Sequence, residues 1–373
     1  MNDKKKIKVL IIDDSALMRQ LLTAIFHEDP ELHVVGTAAN PLLAREKIKT
    51  LKPDVLTLDV EMPGMDGITF LEKLMRLHPL PVVMVSSHTE KGASATLRAL
   101  DLGAVDFVAK PQGGLRDGIR RELMDEIRAK VRAAAGAHVR PAPVQPTEKI
   151  FQPLSSTLVC REGVIVIGAS AGGTQAIAEI LARLPPRMPG IAIVQHMPPK
   201  FTASFAERLD NHCQLEVREA KSGDRLKSGT VLIAPGGMHM ALMRAGGGYA
   251  VRVYEDEPVN RHRPSVDVLF DSTALIARDN ALGIILTGMG SDGARGLLAV
   301  RQAGGYTLVQ DRASSVVFGM PAEALRLGAA ELAFSPLGLA EQLRWWSLGG
   351  GDGAEPGEPT STPSTPLPKA RRP

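Results

Sequence analysis

The sequence predicts an α/β chain made of two doubly wound, mostly parallel units in series. Three observations carry that expectation. Short β-branched segments alternate with helix-length amphipathic ones, the pattern of a parallel sheet covered by helices on both faces. The alternation breaks at a proline-containing stretch and resumes beyond it. The length, 373 residues, suits two domains at roughly 150 residues each.

In the first unit Lys8–Asp13, Leu32–Ala38, Val55–Asp59, Val82–Ser86 and Ala104–Ala109 read as strands. Helical patterns lie between them at Ala16–His27, Leu42–Leu51, Ile68–Leu77 and Ser94–Leu102, and Leu115–Ala135 closes the unit. Right-handed crossovers leave few topologies. Five strands fit the flavodoxin-like order 2-1-3-4-5, with a site at the carboxyl ends of the strands. This unit is expected over residues 1–132.

Residues 133–159 begin alanine-rich and then carry Pro141, Pro143, Pro146 and Pro153 among polar residues, the composition of a semi-rigid linker. The second unit is expected over 160–347. Val164–Ile167 reads as a buried strand, followed by a glycine-rich turn and the helical Thr174–Leu184. Ile191–Gln195, Val231–Ala234 and Leu282–Leu286 are further strands. Tyr249–Tyr254 alternates behind Gly246-Gly247-Gly248, which predicts a hairpin turn. Residues 348–373 are rich in Gly, Pro, Ser and Thr, cannot bury a core, and are expected to be disordered.

Composition excludes several classes. A hydrophobic share of 44% with 23% charged residues is that of an ordinary folded soluble protein. A formal charge of +3 gives no electrostatic ground for a nucleic-acid partner. Cys160 and Cys213 belong to no CxxC or Cys/His pattern and read as free thiols in a reducing compartment. The apolar run Val9–Ile12 is too short for a signal peptide, and no stretch reaches the ~18 apolar residues of a membrane span. The chain is therefore expected to be cytoplasmic, without direct membrane insertion.

The first unit gathers charge at its strand ends. Asp13 and Asp14 end the first strand and Asp59 the third, neighbours in the expected order. Crowded carboxylates repel, and a hard divalent cation relieves the repulsion; Mg²⁺ suits few protein oxygens with room for a phosphate oxygen. One carboxylate can then act as nucleophile and form an acyl phosphate. Asp59, alone on the central strand, is the candidate. Lys110 after the fifth strand can pair with it, and Ser86 at the end of the fourth offers a hydroxyl to a phosphoryl oxygen.

The segments Ile12–Arg19 and Asp59–Gly67, with Val108-Ala109-Lys110-Pro111, resemble a response-regulator receiver domain over about residues 7–130. That resemblance implies phosphorylation of Asp59 by a histidine kinase. It also implies Mg²⁺ held by Asp13, Asp14, Asp59 and the backbone carbonyl of Glu61, and a switch that couples Ser86 to Phe107. Phe107 has no hydroxyl where many members carry Tyr, so no hydrogen-bonding switch is assigned there.

In the second unit Gly168-Ala169-Ser170-Ala171-Gly172-Gly173-Thr174 follows a strand and opens a helix. Two chemistries fit that context equally: a nucleophile on a tight turn, as in GxSxG hydrolases, or a glycine loop cradling a phosphate. A dinucleotide site wants an acid at the end of the next strand. Here that strand ends in His196, which can take the proton of Ser170. Asp292, in a glycine-rich turn after a later strand, can orient His196, or can simply cap a helix. The order Ser…His…Asp departs from the Ser…Asp/Glu…His of α/β-hydrolases. Backbone N–H groups around Ser170–Gly172 and near Met289 are the oxyanion candidates.

These segments, with Ala234–His239 and Arg263–Phe270, resemble the catalytic domain of the chemotaxis protein-glutamate methylesterase family, CheB, over about residues 160–345. The resemblance implies a triad of Ser170, His196 and Asp292, an oxyanion role for Met289, and no cofactor for the esterase reaction. It implies hydrolysis of γ-glutamyl methyl esters on chemoreceptors, with deamidation of receptor glutamines by the same acyl-enzyme chemistry, and an unphosphorylated receiver covering the mouth of the site. Two rivals are a dinucleotide-binding domain, which lacks its ribose-binding acid, and a DNA-binding output domain, for which no helix-turn-helix pattern is present.

Overall fold

The structure is a computed structural model that describes residues 6–87, 89–110, 121–137, 139 and 161–349. Pro111, the linker prolines, Cys160 and the tail from residue 350 lie outside the described residues.

The first unit runs β1 (Ile7–Ile12), α1 (Ala16–His27), β2 (Leu32–Ala38), α2 (Pro41–Leu51), β3 (Val55–Asp59), α3 (Gly67–Leu77), β4 (Val82–Ser86), α4 (Glu90–Asp101), β5 (Asp106–Ala109) and α5 (Arg121–Ala135). Its five strands pair in parallel in the order β2-β1-β3-β4-β5, as the sequence predicts. β3 and β4 are buried at every residue, and apart from Thr57 and the terminal Asp59 and Ser86 both are apolar, as strands covered on both faces tend to be. Ser15, Asn40, Asp66 and Thr89 each cap the helix that follows with a side-chain oxygen, worth about 1 kcal/mol apiece. α4 starts four residues before the expected Ser94, because Thr89 Oγ1 accepts from Gly92 N at 3.0 Å. Gly67 lets α3 start against β3: a Cβ there would lie 2.0 Å from the Asp59 carbonyl oxygen.

The second unit runs β6 (Val164–Ala169), α6 (Gly173–Leu181), β7 (Gly190–Gln195), α7 (Phe201–Asp210), β8 (Glu216–Glu219), β9 (Thr230–Ile233), β10 (His239–Ala245), β11 (Gly248–Tyr254) and α8 (Val266–Ile276). It continues with β12 (Ala281–Ile285), α9 (Ala294–Gln302), β13 (Tyr306–Gln310), α10 (Met320–Arg326), β14 (Leu332–Phe334) and α11 (Pro336–Ser347). Seven strands form one parallel sheet in the order β14-β13-β12-β6-β7-β9-β8. β10 and β11 form the expected hairpin, closed by Gly246 and Gly247, both at positive φ as a two-residue turn requires. The core joins Val164 and Val166 on β6 to Val194, Leu232, Phe270 and Leu297, all fully buried.

Chain direction decides where a site falls in this sheet. From β6 the chain goes first to β7 on one side and later to β12 on the other. That reversal is a topological switch point, where parallel α/β sheets open a crevice at the strand carboxyl ends. Among the described residues no helix is long and apolar enough to cross a membrane.

Candidate active sites of the two units

At the carboxyl edge of the first sheet, Asp13, Asp14 and Asp59 offer carboxylate oxygens all within 4.8 Å of one another. Arg19 on α1 pins the acidic turn by donating to the carbonyl oxygens of Asp13 and Asp14 at 2.8 and 2.9 Å. Lys110 Nζ donates to Asp59 Oδ2 at 2.7 Å, and Glu61 N reaches Asp59 Oδ1 at 3.2 Å. Burial, and then the charge of Asp59, push the Asp13 carboxyl up to about 6. Burial also raises Asp59, and Lys110 only partly offsets it. Lys110 itself is desolvated, yet the Asp59 hydrogen bond and charge carry its ammonium above the ordinary lysine value.

The donor set fits a hard divalent cation. Among the described residues Asp13 Oδ2 is buried without a hydrogen-bond partner, and three carboxylates face one small space. Mg²⁺ takes oxygen ligands of this kind with few from the protein. The Glu61 carboxylate is turned elsewhere, accepting from Ser87 Oγ at 3.3 Å, which leaves only its main chain for such a role. Ser86 ends β4 as expected, but its hydroxyl faces α4. It accepts from Thr96 Oγ1 at 2.7 Å and lies 3.2 Å from Gly92 O. Phe107 is buried on β5, with Lys130 Nζ on its carbonyl at 2.7 Å and 5.2 Å from its ring centre.

In the second unit the strand register brings the three candidates to one edge. Ala169 on β6 pairs with Gln195 on β7, so Ser170 and His196 leave adjacent strands at the same level. His196 N donates to Ala169 O at 3.0 Å. β12 flanks β6 on its other side, and its last pair is Ile285–Gly168. The turn after β12 carries Met289 and Asp292; Met289 is half-buried. Gly172 is at φ +75°, a conformation open to glycine with little strain.

The decisive contact joins His196 Nε2 to Asp292 Oδ2 at 2.8 Å, with the two side chains 7% and 1% exposed. His196 Nδ1 is buried and has no hydrogen-bond partner among the described residues. An ionised carboxylate can only accept, so Nε2 carries the proton and Nδ1 is the basic nitrogen. In chymotrypsin-like triads it is the other nitrogen, Nδ1, that faces the carboxylate.

Asp292 does cap a helix, though not the one that follows it. Its Oδ2 accepts from Val266 N at 2.7 Å, and its Oδ1 from Ser265 Oγ at 2.7 Å and Asp267 N at 3.4 Å, all at the start of α8. Ser265 sits at the N-cap, but its hydroxyl goes to Asp292 and makes no cap bond. Burial alone would raise the Asp292 carboxyl. The His196 hydrogen bond and charge, with the donors from Asn260 and Ser265, outweigh it and hold the group well below the usual carboxylate range. The positive end of the α8 dipole acts in the same direction.

Sequence patterns did not reveal the segment that frames this pair. Val259–His262 forms a turn closed by Val259 N to His262 O at 3.1 Å and His262 N to Val259 O at 2.9 Å. Asn260 and Arg261 occupy its centre at φ +51° and +67°. The His262 ring stacks on His196 with centroids 3.7 Å apart and planes 11° from parallel. Buried His239 holds the segment's ends: its Nε2 lies 3.0 Å from Glu257 O, and its Nδ1 accepts from Ser265 N at 3.3 Å. Asn at the first centre of a two-residue turn is the one local signal for this arrangement.

Comparison with known proteins follows the same division. The family model described as CheB methylesterase matches residues 165–343, and that described as response regulator receiver domain matches residues 9–119. The protein-glutamate methylesterase/protein-glutamine glutaminase 2 of Cupriavidus pinatubonensis is 56% identical over 324 residues, 87% of this chain and 91% of its own. The protein-glutamate methylesterase/protein-glutamine glutaminase of Bordetella parapertussis is 56% identical over 341 residues, 91% of this chain and 97% of its own. Among solved structures, the Thermotoga maritima CheB methylesterase catalytic domain is 38% identical with a TM-score of 0.48, covering 49% of this chain and 97% of that one. The response regulator domain of Thermotoga maritima CheB is 45% identical with a TM-score of 0.33, covering 36% of this chain and 99% of that one.

Proposed function

The chain belongs to the CheB methylesterase family, with a receiver domain ahead of the hydrolase, and we propose that it demethylates γ-glutamyl methyl esters on chemoreceptors under control of Asp59 phosphorylation. It deamidates receptor glutamines by the same route. The observation that carries this proposal is the buried His196–Asp292 pair, which presents a basic Nδ1 at the strand end beside Ser170. We assign residues 1–132 to the receiver, 133–159 to a linker, 160–347 to the hydrolase and 348–373 to a tail.

Ser170 Oγ attacks the γ-carbonyl carbon as its proton passes to His196 Nδ1. The imidazolium is held by the Asp292 carboxylate. Backbone N–H groups at Gly172 and Met289 stabilise the oxyanion, each donor contributing ~3 kcal/mol to transition-state stabilisation. His196 then gives its proton to the leaving group, released as methanol from the ester or ammonia from the amide. Water, deprotonated by the same nitrogen, attacks the acyl-enzyme and frees the glutamate carboxylate and Ser170.

In the receiver, an Asp59 oxygen takes the phosphoryl group from a histidine kinase, and Lys110 pairs with the charge that arrives. Asp13, Asp14, Asp59 and the Glu61 carbonyl would hold Mg²⁺, which neutralises phosphoryl charge when bound. Ser86 turns from α4 to the phosphoryl oxygens, and buried Phe107 packs with that change. Kinase and receptor are both met in the cytoplasm, where we place the enzyme.

The Ser170→Ala variant is the direct test. It is expected to abolish methanol release from methylated receptor while Asp59 still takes up phosphate. Release near the parent rate would refute the assignment. A phosphodonor is expected to raise release by the parent chain and to leave the Asp59→Asn variant unchanged.

A further inference from the structure

Two carboxylates lie buried side by side behind the catalytic histidine, and each serves the other's helix. Asp292, just before α9, caps α8 through Val266 N at 2.7 Å. Asp267, in the first turn of α8, caps α9 by accepting from Gly296 N at 2.7 Å. Crossed capping forces two like charges together. Asp267 shows the cost: burial first, and then the charge of Asp292 among other contributions, leave its carboxyl above the ordinary value. Asp292 meanwhile lies below it.

One side chain stands between them. Asn260 Nδ2 donates to Asp267 Oδ2 at 2.7 Å and to Asp292 Oδ1 at 2.7 Å. A primary amide has two N–H groups on one nitrogen, and here each goes to a different carboxylate. Asn260 reaches them because its backbone is at φ +51° in the Val259–His262 turn, a conformation Asn tolerates better than most residues. An amide is neutral, donates twice, and adds no charge of its own to a buried acidic pair.

We propose that Asn260 is a positioning residue of the hydrolytic site, its amide holding Asp292 apart from Asp267 so that Asp292 stays aimed at His196. This inference rests on the Ser170–His196–Asp292 assignment. Without the amide, Asp267 and Asp292 face each other across the gap, and the carboxylate that orients His196 can instead share a proton with its neighbour. Asn260 touches neither substrate nor Ser170 in this role and acts only through Asp292.

The test uses the full chain with methylated receptor as substrate. Asn260→Gly keeps the turn, since glycine adopts positive φ freely, and removes only the amide. Loss of one hydrogen bond to a charged group is expected to lower kcat about ten- to a hundredfold, with KM within about twofold. Asn260→Asp, similar in size and also tolerant of the turn, puts a third acid between the two and is expected to lower kcat at least as far. The informative variant is Asn260→Gly with Asp267→Asn, in which the new amide can donate to Asp292 from the other side. It is expected to regain most of the lost kcat, which relief of a purely structural defect would not produce. Asn260→Gly within twofold of the parent kcat, or a double variant no faster than the single one, would overturn the proposal. Ser170→Ala run in parallel separates the two readings. If it is inactive while Asn260→Gly is normal, only the role of Asn260 falls; if it is active, the triad falls and this inference with it.

Discussion

Replacing Asp292 by Asn probes the charge behind His196 while leaving the size of the side chain unchanged. In the parent chain Oδ2 accepts from His196 Nε2 and Val266 N, and Oδ1 accepts from Ser265 Oγ and Asn260 Nδ2. An asparagine must turn its NH₂ toward one of these pairs. Turned toward His196 and Val266, it opposes two donors and forces the imidazole into the tautomer that cannot accept from Ser170. Turned toward Ser265 and Asn260, it leaves a carbonyl on His196 and keeps the tautomer, but it opposes the Asn260 donor, so that hydrogen bond is lost together with the charge. Two unit charges about 4 Å apart interact by about 4 kcal/mol at an effective dielectric constant near 20. At about 1.4 kcal/mol per decade, that is nearly a thousandfold in rate. The first orientation adds the wrong tautomer, which in serine-protease triads costs about 10⁴ in kcat. Asp292→Asn is therefore expected to lower kcat for methanol release by about 10³ to 10⁴, with KM little changed. Circular dichroism and thermal melting, run alongside, check that the unit stays folded. A folded variant within tenfold of the parent kcat would show that no charge is needed at Asp292 and that the triad assignment is wrong.

Further outcomes follow from the same geometry. Asp292 is held well below the usual carboxylate range. Its depressed value means that its contribution to stability is present above the unfolded value near pH 4 and is lost as pH falls through the folded one, so acid melting of Asp292→Asn is expected to be flatter than that of the parent. Gly168→Ala would place a Cβ 2.2 Å from Val266 Cγ1; such overpacking costs about 1–3 kcal/mol, and an unchanged melting temperature would refute the close approach. His262→Ala removes a stacked ring worth about 0.5–1.5 kcal/mol, so kcat is expected to fall about two- to tenfold and to return with His262→Phe; full activity in the alanine variant would remove His262 from any role. Chelation of divalent cations is expected to stop Asp59 phosphorylation by a small-molecule phosphodonor, with Mg²⁺ restoring it, and uptake that survives chelation would contradict the cation assigned to Asp13, Asp14 and Asp59.

The first sheet was readable because burial and sequence carry the same signal there. Parallel strands covered on both faces are near-continuous apolar runs, and β1, β3 and β4 read as mostly apolar for that reason, with Lys8, Thr57, Asp59 and Ser86 as the exceptions. The second sheet was harder at its margins. β8, Glu216–Glu219, lies at one edge with three of its four residues charged. β14, Leu332–Phe334, lies at the other edge with only three residues. Edge strands bury less and pair on one side only, so neither periodicity nor run length marks them.

Visibility of the functional side chains divides along the same physical line. Ser170 and His196 directly follow buried central strands, where a polar residue stands out, and Asp292 lies in the glycine-rich turn beyond a third. Their supports sit on a turn and a helix start with no such contrast. Asn260 and Arg261 adopt positive φ without a glycine to announce it. Ser265 resembles an ordinary N-cap, yet its hydroxyl serves Asp292. Asp267 resembles an ordinary first-turn acid, yet it caps α9. In each case the residue type satisfies a local rule while its partner lies 25 or more positions away or on another element. Local pattern therefore points to the groups proposed for chemistry at strand ends, whereas those proposed to orient them become visible only when α8 and α9 are brought together at their N-termini.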